Sequence, residues 1–181
     1  MSLILLAAGF GMTFLGLIGS GNVVVIFTDA AADTFQADYV HSAPFYTYYN
    51  EEPSFGDQTD KLDCGDFDDD DTKSICQAQQ AFGVLMLLSL IASTAVTGLF
   101  LTGRLQNDMI NKGTFGIHGL ITVLFMCIVL GYGNKLSDLF GDNADSWGPS
   151  WSWVLELIGT ALSAVAVFMG QGEAGAGAGA E

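Results

Sequence analysis

The sequence predicts an all-α membrane protein, a bundle of four transmembrane helices with a small β-containing, disulfide-closed outer loop. Three observations lead there. Half of the 181 residues are hydrophobic and 14% are charged, an unusual balance for a soluble domain. The apolar residues fall in four blocks nearly free of charge: Leu3 to Phe27, Ala81 to Thr102, Thr114 to Gly133 and Trp151 to Gly170. The acids gather mainly between the first two blocks.

A helix rising about 1.5 Å per residue needs about 20 residues to cross roughly 30 Å of hydrocarbon. Each block meets that length, so residues 3–27, 81–102, 114–133 and 151–170 are expected to be spans in contact with the lipid bilayer. The first begins near the N-terminus, where a cleavable signal peptide is the competing reading. Such a peptide carries a basic flank, a shorter apolar core and a small-residue cleavage site. No Lys or Arg precedes Leu3, and the run continues to Phe27. A retained helix is expected.

The net charge of -15 is uneven, because residues 28–80 hold 13 acids against Lys61 and Lys73. A surface this acidic repels phosphates and anionic headgroups and attracts cations or basic partners. Nucleic acid is therefore excluded as a partner. Asp outnumbers Glu 15 to 5, which also fits a salty medium, although the acids' concentration in one loop makes that explanation partial.

Orientation follows the Lys and Arg of short loops. The link 103–113 holds Arg104 and Lys112 against Asp108, and it is the net-positive connection. It is expected inside, with both termini cytoplasmic and the loops 28–80 and 134–150 outside. A plasma membrane is favoured. In the second loop Lys135 is outnumbered by Asp138, Asp142 and Asp145, and Trp147, Trp151 and Trp153 mark an interfacial belt where the fourth span begins. The tail 171–181, QGEAGAGAGAE, reads as a flexible end.

Helices in lipid approach each other through small residues and interhelical hydrogen bonds. Gly9, Thr13, Gly16 and Ser20 share one face of the first span. Ser89, Ser93 and Thr97 repeat the device in the second, and Gly159 and Ser163 in the fourth. A compact bundle is expected rather than independent anchors.

In the outer loop, β-branched and aromatic residues point to strands at Val23 to Thr28 and Phe45 to Tyr49. Cys64 and Cys76 bracket eleven residues just before the second span. Outside the cytoplasm such thiols oxidise, and closing that loop stabilises by about 3 kcal/mol in the chain-entropy model. A disulfide is expected.

With these features in place, the whole chain resembles the claudin superfamily of tetraspan proteins, which includes amastins, calcium-channel gamma-type subunits and the peripheral myelin type. The resemblance implies a cytoplasmic N-terminus, a first outer loop folded as a small sheet with a disulfide ahead of the second helix, and a short second outer loop. Cys64, Cys76 and the run CQAQQAFGVLMLL carry it, as does SWSWVLELIGTALSAVAVFMG in the fourth span. The tight-junction signature of Trp, Gly-Leu-Trp and two cysteines is missing, and Pro44, Phe45, Tyr46 and Tyr48 stand in that region. Tight-junction sealing is not carried over.

Asp66, Asp68 and Asp70 alternate as at the opening of an EF-hand and offer three oxygen donors for calcium. The rest of that pattern fails, because Asp71 stands where Gly is needed and Gln77 where the bidentate Glu belongs. A solvated charge run is the plainer reading, and no cofactor is expected beyond weak calcium. Glu156 lies about 8 Å inside the fourth span, where a carboxylate normally faces a partner or a wet cavity; it is also shallow enough to reach the interface. His118 and Cys127 read as packing residues. His41 and His118 are the two histidines and fall on opposite sides, so no histidine metal cluster or Ser/His/Asp set can be assembled, and no phosphate loop is seen. The expected function is non-enzymatic: a structural or accessory subunit, or adhesion-type component, working through other membrane subunits or self-association. The alternative is a channel or transporter subunit with a cation-attracting acidic vestibule above Glu156.

Overall fold

The computed structural model describes residues 2–18, 23–28, 39–43, 46–50 and 58–177. Four helices make up most of it: α1 (Ser2–Ile18), α2 (Asp70–Leu101), α3 (Asp108–Phe140) and α4 (Trp151–Gly177). With 32 and 33 residues, α2 and α3 are each about 48 to 50 Å long. Both are long and apolar enough to cross a membrane, while the described apolar stretches of α1 and α4 are shorter.

Local chemistry sets the helix ends. Asp69 caps α2, accepting from the Thr72 amide at 2.9 Å, and α2 closes at Gly103, whose φ of 71° suits a residue without Cβ. Asn107 then caps α3, accepting from the amides of Met109 and Ile110. Inside its first turns Lys112 pairs with Asp108 at 2.6 Å. Gly141, with φ 52°, ends α3.

A five-stranded antiparallel sheet sits at one end of the bundle, in the order β4 (Gln58–Leu62), β3 (Tyr46–Asn50), β2 (Tyr39–Ala43), β1 (Val23–Phe27), β5 (Ala144–Pro149). The strand β5, from the connection between α3 and α4, pairs with β1 with Val25 opposite Trp147. The connection after α1 and the one between α3 and α4 are thereby joined into one unit. Beneath it, Leu17, Val25, Phe67, Met86, Phe125, Val129, Tyr132 and Leu136 form the main apolar core, and the Phe67 and Tyr132 rings meet edge to face at 6.4 Å.

Several expected boundaries move. The run 3–27 is divided: α1 ends at Ile18 and Val23–Phe27 is strand, because its β-branched residues find strand partners on both sides, in β2 and β5. The acidic segment 28–80 ends in helix, since α2 starts at Asp70, and α3 carries seven residues beyond 133 before the second connection turns. The strand expected at Phe45 to Tyr49 is found one residue later. The helix α4 runs past 170 to Gly177, so part of the Gly/Ala tail is helical; residues 178–181 lie outside the described residues. The all-α expectation thus understates the sheet.

Candidate functional site: polar seams and an acidic cap

The helices pair as α1 with α4 and α2 with α3, each pair antiparallel. In the first seam the buried residues of α4 include Ser152, Glu156, Gly159 and Ser163, and those of α1 include Gly9, Thr13 and Gly16. The backbones touch. A Cβ placed on Gly9 would come 2.7 Å from the Gly159 carbonyl oxygen, and one on Gly16 would come 2.6 Å from that of Ser152. Thr13 donates its hydroxyl to the Gly9 carbonyl at 3.0 Å. The expected packing residues Gly9, Thr13, Gly16, Gly159 and Ser163 are therefore brought together, while Ser20 lies outside the described residues. Glu156 joins them, fully buried against Gly16.

The second seam is also polar. Ser89 Oγ lies 2.9 Å from His118 Nδ1 and donates to the Met86 carbonyl at 2.9 Å. Thr97 donates to Asn111 Oδ1 at 2.8 Å, and Ser93, one turn away, is buried and donates to the Leu90 carbonyl. His118 is buried as expected. Cys127 is not a packing residue, for it is exposed on the outside of α3.

At the sheet end, Cys64 and Cys76 form a disulfide with Cα atoms 5.6 Å apart. It ties the turn Cys64–Asp66 to the second turn of α2, so half of the bridge stands inside the helix rather than ahead of it. The acid run is built into that helix start. Asp66 accepts from the Asp63 amide at 2.7 Å. Asp69 accepts from the Thr72 hydroxyl at 2.7 Å as well as from its amide. These bonds, the hydroxyl foremost, hold the Asp69 carboxyl below its ordinary value. Asp71 meets Lys135 of α3 at 3.6 Å.

Asp66 turns back to cap its own loop, Asp68 and Asp70 are exposed, and among the described residues there is no group of three His, Cys, Asp or Glu that could hold a metal. Sequence reasoning missed Ser152, Asn111 and Thr122 as buried polar residues. The spacing 152, 156, 159, 163 was visible, since it continues a face on which Glu156 had already been singled out.

Compared with known protein families and with curated proteins, the sequence matches none.

Proposed function

We propose that the chain is a non-enzymatic, claudin-like tetraspan that serves as a structural or accessory subunit, or adhesion-type component, of a larger membrane assembly. One observation carries the membrane part, an inverted distribution of polarity. Leu88, Ile117, Leu120 and Val123 are 57%, 62%, 60% and 60% exposed, whereas Thr13, Ser93, Thr97, Asn111, His118, Ser152, Glu156 and Ser163 are buried. Water would reverse that arrangement, and lipid favours it. All four helices then span, with the sheet and the acidic cap on the outer side and the positive link carrying Arg104 inside.

The claudin-like part is supported by an outer sheet pinned by a disulfide at the start of the second helix. The subunit role is supported by seams whose polar groups are used in packing. Glu156 in particular is closed against Gly16, which favours a packed joint over a cation path. In mild detergent the chain should migrate within a larger assembly, and alone in liposomes it should pass no cations. Cation flux reduced by Glu156→Gln would replace this reading with the channel alternative. For orientation, Asn107→Cys should react with permeant reagents alone and Ser146→Cys with impermeant ones; the reverse would overturn it.

A further inference from the structure

We infer that the outer edge of β4 is a docking strand for an extended, basic segment of a partner protein, which adds to the sheet as a sixth strand. The inference rests on the membrane-subunit reading above. A strand at a sheet edge presents a row of backbone N–H and C=O groups, and extended peptides bind such edges through main-chain bonds. The strand β4 bonds to β3 on one side, from Thr47 opposite Leu62 to Asn50 opposite Gln58. Among the described residues no segment pairs with its other side.

The opposite edge of the sheet is protected. There β5 ends in Pro149, which has no N–H to offer, and Trp147 on the same strand is packed against the core. Proline is one of the ways in which edges are closed to addition. The edge of β4 contains no proline. It is also held firm, because the chain leaving it reaches Cys64 within two residues and is fixed there to α2 through Cys76. A template fixed before binding spends less free energy on ordering.

Charge selects the occupant. Between Asp57 and Asp71 the chain carries eight acids and one lysine, and Asp68 and Asp70 stand exposed at the helix start that follows the strand. A second copy would bring the same charge and be repelled. A segment with basic residues at alternate positions is attracted, and its charges meet the acids while its backbone pairs.

The test uses the full chain in lipid nanodiscs and a short fluorescent peptide of alternating lysine and valine. Binding should weaken about tenfold when the peptide is N-methylated at alternate residues, and also when glutamate replaces lysine. A cysteine on the peptide should cross-link to Thr59→Cys in β4 and not to Ser146→Cys in β5. Equal binding of the N-methylated or the glutamate peptide would overturn the proposal, as would cross-linking at Ser146→Cys. Self-linking of Thr59→Cys that excludes the peptide would assign the edge to a second copy and overturn it too. Flotation of the chain with liposomes, run in parallel, reports the membrane reading by itself, and mass mapping of the Cys64–Cys76 link verifies that each variant is folded.

Discussion

Gly16 of α1 lies directly over Glu156 of α4, so that a methyl group built on the glycine would come 2.7 Å from the glutamate's Cγ. The contact explains why a glycine and an acid occupy facing positions: the first leaves room for the second. Overpacking a joint of this kind typically costs about 1 to 3 kcal/mol. Gly16→Ala should therefore lower the unfolding midpoint in detergent, and Gly9→Ala should behave alike. Gly11 is the internal control, since a Cβ there meets nothing within 4 Å; equal losses at Gly11 and Gly16 would show that the seam is misplaced.

Replacing Cys64 and Cys76 together by serine should destabilise the sheet end of the fold by about 2 to 4 kcal/mol, the usual range for a native bridge. The loss should be largest in hydrogen exchange at the start of α2, where Cys76 anchors the turn. Non-reducing mass mapping should find the two peptides linked, with Cys127 alkylated by a permeant reagent. Free thiols at 64 and 76 after alkylation before lysis would remove the bridge from the fold.

The helices and the bridge were legible because each has a local signature: apolar blocks of sufficient length, and two cysteines close to the start of one of them. The faces that pack were legible for the same reason, since Gly9, Thr13, Gly16, Gly159 and Ser163 repeat at helical spacing. What could not be read was long-range. Val23–Phe27 is apolar enough to extend a span, and its strand state depends on β5, more than a hundred residues later. The partner of His118 was hidden likewise, because Ser89 looked like one more small residue on its own helix.

Acid should loosen the start of α2. The Asp69 carboxyl titrates below its ordinary value of 3.8 because Thr72 donates to the ionised form, first through its hydroxyl and then through its amide. A carboxylate whose value falls on folding adds stability above that ordinary value, and the contribution disappears as pH drops through the lowered one. Exchange of the Thr72 amide should therefore be slow, relative to its intrinsic rate, at neutral pH and lose protection in strong acid. Asp69→Asn, which keeps an acceptor without the charge, should flatten that dependence. An unchanged profile in the variant would assign the acid sensitivity to another group.

The last prediction concerns the end of the α2 and α3 seam nearest the link between these helices, where the Thr97 hydroxyl donates to Asn111 Oδ1 and both residues are buried. The two partners are not equivalent. The amide nitrogen of Asn111 has no described hydrogen-bond partner, so Thr97→Val leaves a buried amide without its described side-chain partner, whereas Asn111→Leu leaves a threonine hydroxyl that can turn to the carbonyl one turn back in its own helix. Stranding a buried polar group costs about 1 to 3 kcal/mol. Thr97→Val should therefore destabilise more than Asn111→Leu, although it removes fewer polar atoms. The double variant should recover part of the loss, with a coupling energy of about 0.6 kcal/mol, the average for hydrogen bonds between membrane helices, and at most about 1.7 kcal/mol. Denaturant titration of the four proteins in one detergent supplies the cycle. Strict additivity would mean that the two side chains do not meet in the folded bundle, and the pairing of α2 with α3 would have to be redrawn around Ser89 and His118 alone.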